Sequence, residues 1–320
     1  MGGGRRKVRR GYDESQIAAA HRKRTAVSAG LIFLAIPAVI ALGVILFKDR
    51  NYILISLMIL ALTMTPFFLV FERRKPKARE IVLIAMMCAI TVCAQLICGV
   101  TIPLRAGTAI IIACGIALGP EAGFLIGALA RFVLNFYAGQ GPWSPWQMFC
   151  WGLLGFLAGI VFNRVNLEKK KSRNFSVVMG PVLCVAFMML VAYLSYVLFP
   201  PSDGATFFGW RLYVFGAIGL LLGVFVQRKR LPVDDITLTV FTFFTTFIIY
   251  GGAMNIFTMI SAASIPGNPE ISWNALKIYY ISGVPYDFAH AGTAAIFNFI
   301  FGEKLIQKLE RIKLKYGIYR

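Results

Sequence analysis

Acidic residues are scarce in this chain. Fourteen Asp and Glu stand against 33 Lys and Arg, and charged residues of both signs make up only 15% of the 320 positions. A water-soluble domain carries about a quarter charged residues, so the composition excludes an ordinary soluble fold. Histidine is scarcer still, with His21 in a basic N-terminal arm and His290 near the last apolar run. With so few bases, no nucleophile–base set can be assembled, which argues against a membrane enzyme acting on lipid. The phosphate-binding motif G-x-x-x-x-G-K-[ST] is missing, and the Gly-rich stretch 115–123 has no Lys, so no nucleotide site is expected. The six cysteines (Cys88, Cys93, Cys98, Cys114, Cys150, Cys184) lie in or beside apolar segments without metal-ligand spacing. They read as reduced, structural residues, and no metal or cofactor is expected. No small-residue cleavage site follows the first apolar run, which reads as a retained helix.

What is abundant is apolar sequence: 58% hydrophobic residues and a mean hydropathy of +0.72. Segments near the ~20 residues needed to cross a hydrocarbon core recur along the chain. They predict an all-α integral membrane protein, a polytopic bundle of about ten transmembrane helices near 27–47, 52–71, 81–102, 108–119, 121–138, 145–162, 175–199, 211–227, 236–260 and 284–302. The net charge of +19 could suggest nucleic acid, but the basic residues sit in short tracts between apolar runs, so no nucleic-acid partner is expected. Most Lys and Arg fall at 5–24, 73–79, 164–173, 228–230 and 304–320, which alternate with sparsely basic loops. The positive-inside rule therefore predicts both termini in the cytosol.

The opposite loops are aromatic and rich in Gly and Pro: AGQGPWSPW at 138–146, PPSDGATFFGW at 200–210, and a stretch of about 25 residues from 261 to 287. Trp210 reads as an interfacial belt residue. Trp143, Trp146, Trp273, Tyr279, Tyr280 and Tyr286 fit either that belt or an outward-facing small-molecule site. Arg131 is an ionisable group inside a span, with Asn135 one turn away; it reads equally as a functional group or as a structural one. Asp287 and His290, three residues apart, read as a pair on one helix face that caps the last span or contacts a ligand. Small residues recur every four positions at Gly115, Gly119, Gly123 and Gly127, at Gly155 and Gly159, and at Gly219 and Gly223. A further ridge is Ala85, Ala89 and Cys93. Such ridges let helices approach closely in lipid. Most predict internal packing, and one could dock another membrane protein.

The stretch GIALGPEAGFLIGALARFVLNFYAGQGPWSPWQMFCWGLLGFLAGIVF (115–162) resembles the substrate-binding S components of energy-coupling factor (ECF) vitamin transporters, with their G-P-x-x-G turn and G-x-x-A-G helix. The segment YDFAHAGTAAIFNFIFGEKLIQKLERIKLKYG (286–317) is similar to the closing helix and basic tail of the same group. The resemblance runs from about 80 to 317 and is nearest the cobalamin-type S components. It implies a multi-pass subunit of the bacterial cytoplasmic membrane, not an enzyme, that binds a vitamin from outside. Its partners would be the lipid bilayer, a transmembrane coupling protein and two ABC-type ATPases. Delivery would follow toppling of the subunit in the bilayer. Ala85 and Ala89, with Cys93 continuing their ridge, match the family's docking face. The usual core has six helices, fewer than the ten read here.

The resulting expectation is a basic arm (1–26), two extra N-terminal helices (27–71), an S-component-like core (80–302) and a basic cytosolic tail (303–320). Candidate ligand residues are Arg105, Asn135, Tyr137, Gln140, Trp143, Trp146, Trp273, Tyr286, Asp287 and His290, whose aromatic faces and hydrogen-bonding groups suit a heterocycle. Cobalamin comes first, with queuosine, folate, thiamine and other heterocycles open. The alternative is an ion- or proton-coupled secondary transporter that uses Arg131 and the Asp287/His290 pair.

Overall fold

Apolar runs with few charges fold as helices in lipid because each backbone polar group must then find its partner within its own segment. The computed structural model describes residues 78–101, 105–162, 175–200, 207–226, 230–263 and 271–318, with 58, 65, 265 and 268 as isolated positions. The expected spans at 27–47 and 52–71 and the basic arm lie outside the described residues, apart from positions 58 and 65. The described helices are α1 (Ala78–Thr101), α2 (Ala106–Leu118), α3 (Pro120–Ala138), α4 (Trp143–Val161), α5 (Phe175–Leu198), α6 (Trp210–Val226), α7 (Asp235–Phe244), α8 (Gly252–Ala263), α9 (Trp273–Phe297) and α10 (Glu303–Lys315). A π-helical turn, Thr245–Gly251, joins α7 to α8, and a second, Asn298–Gly302, joins α9 to α10. Among the described residues, five helical segments are long and apolar enough to cross a membrane: Ala78–Gly99, Pro120–Ala138, Trp143–Val161, Met179–Leu198 and Asp235–Ala263. Ala106–Leu118 and Trp210–Val226 are shorter apolar helices.

The short α2 is the centre of the bundle. All thirteen of its residues are buried, and at 1.5 Å per residue it spans only about 20 Å. It can sit this deep because glycines let α3 and α4 close around it. A Cβ on Gly115 would collide with the carbonyl oxygen of Gly155. One on Gly123 would lie 2.6 Å from the Gly115 Cα, and one on Gly127 2.6 Å from the Trp151 carbonyl carbon. Gly119, with φ +103°, makes the turn that sends the chain from α2 into α3. These ridges are internal packing, as is that of Gly219 and Gly223, which lets α6 approach Val185 and Pro181 on α5. Ala85, Ala89 and Cys93 differ, since all three lie exposed on the outer side of α1.

Two boundaries depart from the sequence reading. The last span begins at Trp273, well before 284, because Ser272 caps it by accepting from the Ala275 N–H at 3.1 Å. Half of the expected long loop is therefore helix, and Asp287 lies in mid-helix rather than at its start. The basic tail also continues as α10, with Ile306, Leu309 and Glu310 buried. Its Lys313 Nζ donates to the Ala117 carbonyl at 2.8 Å and so caps the C-terminal end of α2.

α5 and α6 pack chiefly on each other and leave most of α5 uncovered. The chain leaves for this hairpin after Phe162 and returns at Leu231, and those two residues form an isolated parallel bridge, the Leu231 N–H donating to the Val161 carbonyl at 2.9 Å. Both are buried in the core cluster. The hairpin of α5 and α6 is thus reached from, and left toward, one point of the main body. Within the described residues, the remaining helices pack as a separate body of α1–α4 against the two long rods α7–α8 and α9–α10.

Candidate ligand site

α2 runs alongside α4 with Gly115 against Gly155, and antiparallel to α3 with Gly115 against Gly123. Its N-terminus therefore lies level with Gln147 and Arg131, one to two turns below the ends of α4 and α3. Polar side chains from the surrounding helices converge at this level.

Arg131 on α3 donates to Gln147 Oε1 on α4 from Nε at 2.9 Å and from a terminal nitrogen at 2.7 Å. Asn135, one turn up α3, donates its Nδ2 to the same oxygen at 3.2 Å. The Arg131 guanidinium also lies 5.1 Å from the ring centroid of Trp151, a cation–π contact. Gln95 on α1 accepts the Gly107 N–H at 3.0 Å, which satisfies one of the four free amides at the start of α2. Thr108 Oγ1 and His290 Nε2 share a hydrogen bond of 2.9 Å across α2 and α9. The His290 ring stands edge-on to Tyr250 of the first π turn, centroids 4.6 Å apart. Such π turns recur at functional sites. Fixed positive charge at this level comes from Arg131, and Arg105 stands just ahead of α2.

Of the residues proposed from sequence, Asn135, His290 and the intramembrane Arg131 meet in this ring, and Arg105 borders it. Trp146 is buried against Phe257, centroids 5.6 Å apart. Gln140 donates to the Phe132 carbonyl at 3.2 Å, and Trp143 Nε1 to that of Gly139 at 3.3 Å, so both brace the turn between α3 and α4. Trp273 stands edge-on to Trp210 at the rim, centroids 5.2 Å apart. Tyr137 and Tyr286 are 72% and 80% exposed and do not join the ring.

Asp287 and His290 share α9, but their bonds lead apart. Asp287 Oδ2 accepts from Tyr213 on α6 at 2.6 Å and from Asn255 on α8 at 2.7 Å. Gly251 makes room for the carboxylate and Gly283 for the Asn255 amide, since a Cβ on either would collide with it. This second cluster ties the α5–α6 excursion to the main body. The sequence reading missed Gln95, Thr108, Gln147, Trp151 and Tyr250 in the ring, and Tyr213 and Asn255 in this cluster. Neutral amides inside apolar runs (TVCAQLICG, WSPWQMFCW) were the available signal for the two glutamines.

Apolar helices around a polar ring define a multi-pass membrane protein with the makings of a small-molecule site. Residues 75–208 match the family model described as ECF-type riboflavin transporter, S component. The matched stretch is less than half of the chain and takes in α1–α5, including Gln95, Thr108, Arg131, Asn135, Gln147 and Trp151. It supports the S-component reading, that of a membrane transport subunit rather than an enzyme. It does not support the expected closeness to cobalamin-type members, because the matching family is the riboflavin one. No curated protein and no solved structure matches the chain.

Proposed function

We propose that this protein is the substrate-capturing subunit of an ECF-type importer of the cytoplasmic membrane. It binds a heterocyclic vitamin from outside and delivers it when docked on a coupling protein served by two ATPases. The observation that carries this reading is the convergence of Gln95, Thr108, Arg131, Asn135, Gln147, Tyr250 and His290 at the buried start of α2, below the ends of α3 and α4. Both termini lie in the cytosol in this reading, with the segments near 27–47 and 52–71 completing about ten spans. Arg105, Trp143 and Trp273 belong to the outward approach. The description of the matching family favours a flavin over cobalamin, and a flat ring suits a site walled by Trp151 and Tyr250.

The exposed ridge Ala85, Ala89 and Cys93 is the docking face, since small side chains allow another helix to approach closely in lipid. The secondary-transporter reading loses ground because Asp287 and His290, its coupling pair, engage different partners.

Co-expression with an ECF coupling protein and its two ATPases tests the reading. A stable complex and riboflavin uptake that stops when the ATPases are inactivated are expected. Uptake that survives loss of the ATPases and collapses with a protonophore would overturn it.

A further inference from the structure

Two buried polar atoms in the ring are left without a hydrogen-bond partner among the described residues: Asn135 Oδ1 and Trp151 Nε1. Their side chains belong to residues only 0% and 2% exposed, and an unmet polar atom at such a depth costs on the order of 1–3 kcal/mol. Both flank the same Arg131–Gln147 pair.

The orientation of Asn135 is dictated by its neighbours. A guanidinium can only donate, so the Gln147 group that faces Arg131 must be its carbonyl oxygen. That oxygen already accepts twice from Arg131, and the Asn135 group that faces it must therefore be the NH2. Oδ1 of Asn135 is then held as an acceptor with nothing to accept. Trp151 supplies the reverse, an indole N–H with nothing to donate to. Arg131 uses its Nε and one terminal nitrogen on Gln147 and keeps further N–H groups to offer.

The unmet groups are thus one fixed acceptor and two kinds of donor. We infer that Asn135, Trp151 and Arg131 read a ring imide or lactam edge on the ligand, with the ring N–H donating to Asn135 Oδ1 and the adjacent carbonyls accepting from Trp151 Nε1 and Arg131. The inference rests on the S-component reading and goes further, because it names the ligand edge and the atoms that read it. A site built this way discriminates strongly, since a ligand lacking the edge leaves the buried groups unpaired.

Equilibrium binding of riboflavin, which has a ring imide, to the purified full-length protein in detergent tests this, alongside N3-methylriboflavin and cyanocobalamin. N3-methylation removes the imide N–H and is expected to weaken binding at least about 100-fold. Trp151→Phe keeps an aromatic ring without the N–H and is expected to weaken riboflavin about tenfold. Asn135→Ala is expected to reduce the preference for riboflavin over its N3-methyl derivative to within about threefold. That ratio reports recognition, whereas a merely destabilised protein would lose both ligands together. Equal binding of riboflavin and N3-methylriboflavin, alongside ATPase-dependent uptake, overturns the imide reading and leaves the S-component reading standing. The same holds if cyanocobalamin binds more tightly than riboflavin. ATPase-independent uptake overturns the S-component reading itself.

Discussion

At the scale of single residues, the two polar clusters differ in what they leave unfinished. In the ring, Gln147 Oε1 is saturated by three N–H donors, while Asn135 Oδ1 and Trp151 Nε1 find no partner among the described residues. At Asp287, both short hydrogen bonds are made within the protein. The first cluster therefore suits ligand binding and the second suits cohesion. Arg131→Lys cannot reproduce the planar two-nitrogen fork on Gln147 and is expected to lower riboflavin affinity about tenfold or more. Tyr213→Phe removes one donor to a buried carboxylate, at a cost of about 1.5–3 kcal/mol in stability. Thermal unfolding in detergent should show the loss, with ligand affinity within about twofold of the unmodified protein.

At the scale of elements, small residues serve two ends. Gly155 faces Gly123 and Ile111, with no room for a Cβ, whereas Ala89 lies on the open side of α1. A bulky residue should thus act differently at the two positions. Gly155→Leu is expected to overpack the junction of α2, α3 and α4, costing about 1–3 kcal/mol or more and impairing ligand binding with stability. Ala89→Trp should leave folding and binding intact and abolish uptake, by keeping the coupling protein's helices away. Equal loss of binding and uptake in Ala89→Trp would show that the ridge packs internally.

The sequence made these elements largely legible. The third to eighth expected spans each correspond to a described helix within a few residues, and the ninth to α7 and α8 with the π turn between them, because apolar length and flanking charge are local properties. The tenth did not, since the start of α9 depends on a single Ser272 cap in an otherwise loop-like stretch. Within the site, Arg131 and Asn135 stood out because ionisable and amide groups are costly in an apolar run. Tyr137 and Tyr286 also stood out as aromatics, yet the rotation of their helices turns them outward, and rotation is set by packing on other helices.

At the scale of the whole molecule, the bridge between Phe162 and Leu231 brings together the ends of the excursion that carries α5 and α6, and α6 packs on the main body through Tyr213 against Phe247 and Tyr280. Replacing residues 163–230 by a short Gly/Ser linker should cost little in loop entropy, because the flanking residues are already hydrogen-bonded together. Excision strips Asp287 of Tyr213, so the shortened protein should need Asp287→Asn to regain stability. With that change it is expected to retain riboflavin binding in detergent; loss of binding in a well-folded shortened protein would make the hairpin part of the site.

By itself the sequence determined that this protein belongs in lipid, where most of its described helices lie, and that it lacks the phosphate-loop motif. Each follows from the composition of a short stretch, because burying a charge or an unpaired backbone amide in hydrocarbon is costly wherever it occurs. Only the tertiary structure decided which polar groups meet. The packing of α2 against the glycines of α3 and α4 sets the depth at which it begins. That depth brings Gln147 within reach of both Arg131 and Asn135, residues that the sequence separates by a turn, and leaves two buried atoms for a ligand to satisfy.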